Sequence, residues 1–241
     1  MILGLTGIPL AQEIIFLMSM GVVCTMLVLV TRELDQSVRM KILYTAIIIF
    51  AFRSTPAAGQ GWSWFSIDVL KFDEAFFGVL GQIGAFLSIA ALWLLAKPIT
   101  EYSIVKTLLW VTVIGTVLSL PSIGLYYGIQ DWTEAHLGFG AHTIAIIDTA
   151  AASPFGELSF VPLLALTAFY APAGHRATWF ALMASLMNLA LLAAQLQTKY
   201  LNTIFHIGRG EYSELGTLLI VITVLGFAVP MIAIVLFGRR V

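Results

Sequence analysis

Charge is what this chain most lacks. Asp, Glu, Lys and Arg together make up 10% of its 241 residues, whereas a soluble domain carries about a quarter. Apolar residues supply 60%, and the mean hydropathy is +0.97. These values exclude a soluble globular domain and make the lipid bilayer the solvent. A net charge of -1 points to no polyelectrolyte partner, and nucleic acid is not expected. The single cysteine, Cys24, excludes a disulfide framework within one chain and reads as a small buried hydrophobe. No nucleotide-binding loop, haem-attachment pattern or metal-binding His/Cys spacing occurs, so neither cofactor nor metal is expected. Gly-x-Ser-x-Gly and His-Glu-x-x-His are also missing, which argues against a hydrolase and against an enzyme in general. The first ten residues carry no basic stretch and no cleavage pattern, so the opening apolar segment is expected to be retained.

What is present is a series of long apolar runs. A helical span needs about 20 mainly apolar residues, and seven segments qualify: 9–31, 42–65, 74–96, 104–127, 142–171, 178–200 and 214–237. The chain is therefore expected to be an all-α, polytopic membrane helix bundle of about seven transmembrane helices. Pro56, Pro121, Pro154 and Pro162 interrupt the second, fourth and fifth segments, where kinks are expected. Gly78, Gly81 and Gly84 form a small-residue row suited to close helix packing. Seven spans invite comparison with retinal proteins. A Schiff base would need a lysine in the last span, and 214–237 has none.

Basic residues set the expected orientation. Arg32, Arg39, Lys41, Lys97, Lys106, Arg176, Arg239 and Arg240 fall in one set of turns, and Lys71, Lys199 and Arg209 in the other. The positive-inside rule then places the N-terminus outside and the C-terminus in the cytoplasm, with the plasma (inner) membrane as the expected location. Trp62, Trp64, Phe65, Tyr126, Tyr127 and Trp132 cluster at the outer ends of two spans. They read as an interfacial belt, with Trp62 or Trp64 alternatively lining an outer vestibule.

Ionisable residues inside a span are functional candidates by default, because placing them in lipid costs several kcal/mol. Arg53 lies eleven residues past Ile42, close to the bilayer midplane at about 1.5 Å per residue. Glu157 lies at similar depth on an oppositely directed segment. Asp148, nine residues earlier and further out, falls on roughly the opposite face of the same helix unless Pro154 bends the path; it reads either as a solvated residue near the outer mouth or as a carboxylate of the site. Two accounts stand for Arg53 and Glu157. They either form a buried ion pair fixing helix register, or both line a cavity. In the second account Arg53 binds an anion through its planar fork, and Glu157 exchanges a proton or hydrogen-bonds a solute. Gln82, Asn188 and Gln195 are neutral and span-embedded, suited to interhelical hydrogen bonds or to a supporting role in a solute site.

Several stretches resemble the folate–biopterin transporter family of the major facilitator superfamily. They are Phe52-Arg53-Ser54-Thr55-Pro56, the run from Phe72 through Gly78 to Gly81, the run from Ile147-Asp148-Thr149 to Pro162, and Pro172-x-Gly174-x-x-Ala177-Thr178-x-Phe180-Ala181-Leu182-Met183-x-Ser185-x-x-Asn188. The order and spacing agree over about residues 40–240. Two departures stand out: His175-Arg176 occupies a turn that is usually acidic in that family, and 97–106 lacks the superfamily's Gly-x-x-x-Asp-Arg signature.

The resemblance implies the C-terminal half only of such a transporter. Residues 1–41 would match its sixth helix and central loop, and 42–241 a six-helix half-transporter domain. It implies a membrane transporter or half-transporter, a symporter of a small anionic solute such as a folate or pterin, working by proton-coupled alternating access. Arg53, Glu157, Asp148, Gln82 and Asn188 would be the substrate-binding residues. The first half would be supplied by a separately encoded N-terminal half or by a homodimer. The alternative is a non-transporting scaffold, an assembly subunit or a truncated remnant.

Overall fold

The computed structural model describes residues 10–101, 103–171, 174 and 176–240, with side chains for all of these except 95–101 and 158. The opening residues 1–9 and most of the basic turn 172–175 lie outside the described residues. Helices account for nearly everything else. They are α1 (Ala11–Thr31), α2 (Gln36–Arg53), α3 (Gln60–Asp68), α4 (Glu74–Glu101), α5 (Ile104–Leu118), α6 (Leu120–Tyr126), α7 (Ile129–Leu137), α8 (Ala141–Leu158), α9 (Phe160–Phe169), α10 (Arg176–Ile204) and α11 (Leu215–Phe237).

Six stretches among the described residues are long and apolar enough to cross a bilayer: Ala11–Thr31, Glu74–Leu94, Ile104–Tyr126, Ala141–Phe169, Arg176–Ile204 and Leu215–Arg240. The seventh expected span, 42–65, is not one helix. α2 starts six residues early, drawing Arg39 and Lys41 into its first turns, and stops at Arg53. α3 begins at Gln60. Pro56 lacks an N–H and disfavours helical geometry in Thr55 before it, and Gly59 sits at φ +62. The chain is unwound between them rather than kinked.

The other prolines behave differently. Pro121 falls in the first turn of α6, after α5 has ended at Leu118, where its missing N–H leaves no helical bond unmade. Pro154 lies within α8, which continues to Leu158, and the chain passes through Ser159 into α9 with Pro162 near its start. The short α7 was not expected.

α4 lies along α8, α1 along α10, and α2 between α10 and α11, with α5 against α11 and α8. In lipid the force holding such helices together is close packing and interhelical hydrogen bonding, because lipid tails are as apolar as leucine. One packed cluster centres on Ile48, Ile49, Leu108, Leu163, Trp179 and Met183. Trp179 is fully buried and donates its indole N–H to the Thr167 carbonyl at 2.7 Å. A second cluster gathers Phe65, Phe72, Leu125, Leu215 and Leu218. Of the three glycines in the α4 row, only Gly84 makes a tight contact: a Cβ there would meet Ser153 Oγ at 2.7 Å, whereas Gly78 and Gly81 face open space. Cys24 is exposed rather than buried, as are Trp93, Trp110 and Phe169.

Candidate functional site

Backbone released from a helix needs other partners for its N–H and C=O groups wherever water cannot reach it. Residues 54–59 find theirs on α10, with Ser54, Pro56 and Ala58 buried. On one side α10 supplies the partners. Gln197 Nε2 donates to Ser54 O at 2.7 Å, the Ala57 N–H donates to Thr198 Oγ1 at 3.0 Å, and Asn202 Nδ2 donates to Ala58 O at 3.3 Å. These side chains are also fixed to their own helix, Thr198 Oγ1 to Ala194 O at 2.9 Å and Asn202 Nδ2 to Thr198 O at 2.8 Å. The approach is close enough to require glycine. A Cβ on Gly59 would lie 2.8 Å from Thr198 Cγ2, and one on Gly61 would lie 3.1 Å from Asn202 Oδ1.

On the other side the break opens into a cavity of about 510 Å³. Thr55, Pro56 and Ala57 form one wall, and α5, α6, α8 and α11 form the rest. Its polar lining is a set of hydroxyls, from Thr55, Thr112, Thr116, Ser119, Ser122, Ser159 and Thr223. Phe52, Trp62 and Phe155 add aromatic surface, and no charged side chain lines it among the described residues. Several hydroxyl protons are already committed. Thr112 donates to Leu108 O and Thr116 to Thr112 O, each at 2.8 Å, and Ser119 to Thr116 O at 2.7 Å. Ser119 also meets Thr223 across the cavity at 3.2 Å. Hydroxyls bonded this way turn their free lone pairs outward, so this wall chiefly accepts hydrogen bonds.

Arg53 ends α2 directly before the break and is half-buried. Its guanidinium carbon lies 3.9 Å from the centroid of the Phe160 ring, and its Nε is buried without a hydrogen-bond partner. The neighbours of this pair, Phe52 and Ser159, both line the cavity. Arg53 thus stands beside the wall on an aromatic face. No ion pair within 4.0 Å joins it to Glu157; the two found among the described residues lie elsewhere.

Asp148 and Glu157 do point opposite ways. Asp148 shares a face of α8 with Ala152 and Phe155, two cavity-lining residues. It is half-buried, and its Oδ1 has no hydrogen-bond partner. Glu157 is exposed and lines a separate open groove of about 730 Å³ between α4 and α8, with Gly81, Ser88 and Ser153. Gln82 and Asn188 are exposed and line neither space. Gln195 is exposed as well. Of the residues singled out from the sequence, Trp62 lines the cavity, Arg53 and Asp148 stand next to lining residues without lining it themselves, and Glu157, Gln82 and Asn188 lie exposed outside it.

The bracing residues Gln197, Thr198 and Asn202 escaped sequence reasoning, as did the hydroxyl row of α5. The available signal was polar residues recurring in apolar helices, at 197, 198 and 202 and at 112, 116 and 119.

Two polar clusters tie down the ends near the break. The Tyr212 hydroxyl donates a short bond to Asp68, Arg209 lies 3.5 Å from the same carboxylate, and Lys71 Nζ donates to Asp68 O at 2.5 Å. The Tyr212 hydroxyl and then Arg209 hold the Asp68 carboxyl below the usual range, against an upward push from desolvation. On α1, Glu13 Oε1 accepts from Lys199 Nζ at 2.8 Å and from the Tyr200 hydroxyl at 2.6 Å.

Among known proteins, the BT1 family model matches residues 7–241. A protein from Synechocystis sp. described as a folate-biopterin transporter is 28% identical over 199 residues, covering 81% of this chain and 39% of that relative. The chain spans about two fifths of the length of the curated relative it matches. No solved structure matches it.

Proposed function

This chain belongs to the BT1 family, and from that premise we propose that it is the solute-carrying half of a membrane transporter. The observation that carries the reading is the unwound segment 54–59 with the 510 Å³ cavity at its side. Discontinuous helices that expose backbone to a cavity are where transporters of this general kind hold their cargo. The solute class is a small anion of the folate or pterin type, by analogy with the name of the Synechocystis relative. Arg53 holds its anionic group at the rim, with Phe160 shielding the guanidinium from lipid. The hydroxyl wall and Trp62 hold the uncharged remainder. Asp148, with its unpartnered oxygen on the cavity face, is the better placed carboxylate for a proton-linked step. Glu157, Gln82 and Asn188 face outward and meet whatever completes the transporter, a separately encoded half or a second copy. The eight-to-three distribution of basic residues favours an outside N-terminus and a cytoplasmic C-terminus in the plasma (inner) membrane.

Proteoliposomes containing the protein with its partner test this directly, by uptake of radiolabelled folate and pterin. Arg53→Ala should lower uptake by about tenfold or more, the scale of a charge-assisted hydrogen bond, with Arg53→Lys intermediate. Uptake by Arg53→Ala at the wild-type rate would sink the anion assignment. The match to only 39% of the relative favours one second reading, a membrane scaffold that keeps the packing without transporting. Crosslinking in the native membrane separates the two: a polytopic partner at one-to-one stoichiometry supports transport, and unrelated partners support the scaffold.

A further inference from the structure

The latch on α1 and the brace on the break use the same turn and a half of α10. Gln197, Thr198 and Asn202 reach the break, and Lys199 and Tyr200 reach Glu13. At about 100° per residue, the two sets project from nearly opposite sides of the helix. α10 is thus held between α1 on one flank and the unwound segment on the other. The hydrogen bonds that hold Ser54, Ala57 and Ala58 and those that hold Glu13 share one stretch of a single helix. The close fit of Gly59 and Gly61 against Thr198 and Asn202 leaves little slack between that stretch and the break.

We propose that Glu13 is a positioning residue, whose latch to Lys199 and Tyr200 sets the geometry of the unwound segment through α10. α1 is then an input lever. Whatever displaces it, a partner or a preceding part of a longer chain, changes the shape of the cavity without touching it. The consequence for cargo rests on the transport reading above, whereas the mechanical coupling does not. The arrangement gives a role to the two donors that converge on one oxygen of Glu13, a residue that does not line the cavity.

Thiol labelling of the purified protein in nanodiscs tests the coupling without any transport assay. In a Cys24→Ser background, Ala57→Cys reports on the braced wall and Ser122→Cys on the far wall of the same cavity. Glu13→Leu removes the acceptor, while Glu13→Gln keeps an acceptor oxygen for Tyr200 and Lys199. The expected result is a change of about fivefold or more in the labelling rate of Ala57→Cys on Glu13→Leu. Ser122→Cys should stay unchanged, and Glu13→Gln should restore most of the Ala57→Cys rate. Equal changes at both cysteines would mean that the bundle merely loosens, and would overturn the proposal. So would an unchanged rate at Ala57→Cys, or a Glu13→Gln protein indistinguishable from Glu13→Leu. Failure of folate uptake with the labelling pattern intact would count against the transport reading alone.

Discussion

Gly59→Ala probes the break most directly, because two separable costs fall on one methyl group. Gly59 adopts φ 62 and ψ -141, a conformation that costs an L side chain about 1–3 kcal/mol. The added Cβ also lies 2.8 Å from Thr198 Cγ2. Thr198 is poorly able to turn away, since its hydroxyl is tied to both Ala57 N and Ala194 O. Overpacking of this sort adds a further ~1–3 kcal/mol. The expected loss is therefore about 2–6 kcal/mol, read from SDS-induced unfolding in mixed micelles followed by circular dichroism.

Thr198→Ser divides that loss. It removes the clashing methyl and keeps the hydroxyl that holds Ala57. In the double variant the packing cost should vanish while the backbone cost remains, giving a coupling of about 1–3 kcal/mol between the two sites. The reasoning fails if Gly59→Ala unfolds within about 0.5 kcal/mol of wild type. It fails equally if Thr198→Ser recovers none of the loss, because the contact would then not be the cause.

Other expectations follow from the same bonds. Gln197→Leu leaves the Ser54 carbonyl without its donor and should cost about 1–3 kcal/mol in the same unfolding assay; a neutral effect would mean that water or a neighbour replaces it. Gly84→Val should separate α4 from α8 at Ser153, which distance measurements between spin labels on the two helices would register; an unchanged distance would refute that packing. The Asp68 carboxyl titrates below its unfolded value of about 3.9, so its stabilisation is present above that value and disappears as the pH falls through the folded one. Acid unfolding of wild type should therefore show a stability loss in this range that is smaller in Tyr212→Phe, and identical acid profiles would contradict the assignment.

The face assignment on α8 was legible in advance. Nine residues of separation put Asp148 and Glu157 on opposite sides, and the structure has one toward the cavity face and the other on the α4 groove. Helical periodicity survives Pro154 because the helix continues to Leu158. The fate of the second span was not legible. A lone proline in a membrane segment ordinarily bends it, and what turns the bend at Pro56 into an open stretch is the bracing from α10. Thr198 lies 141 residues beyond the Ala57 it holds, a separation at which local pattern carries no information. Arg53 divides the same way. Its place late in a long apolar segment was countable from Ile42, but its resting place on the Phe160 ring rather than against Glu157 depends on how α2 and α9 meet.

What the sequence determined by itself is the solvent, the all-helical class and the family, each of which follows from composition or from local order along the chain. Lipid imposes these terms residue by residue, because every polar group inside it must be satisfied or excluded. The tertiary structure alone decided where the backbone stays unwound, which side chains satisfy it, and that α1 and the break share one stretch of α10. Those outcomes belong to pairs of groups distant in sequence, whose meeting is set by helix packing rather than by any segment's own preference.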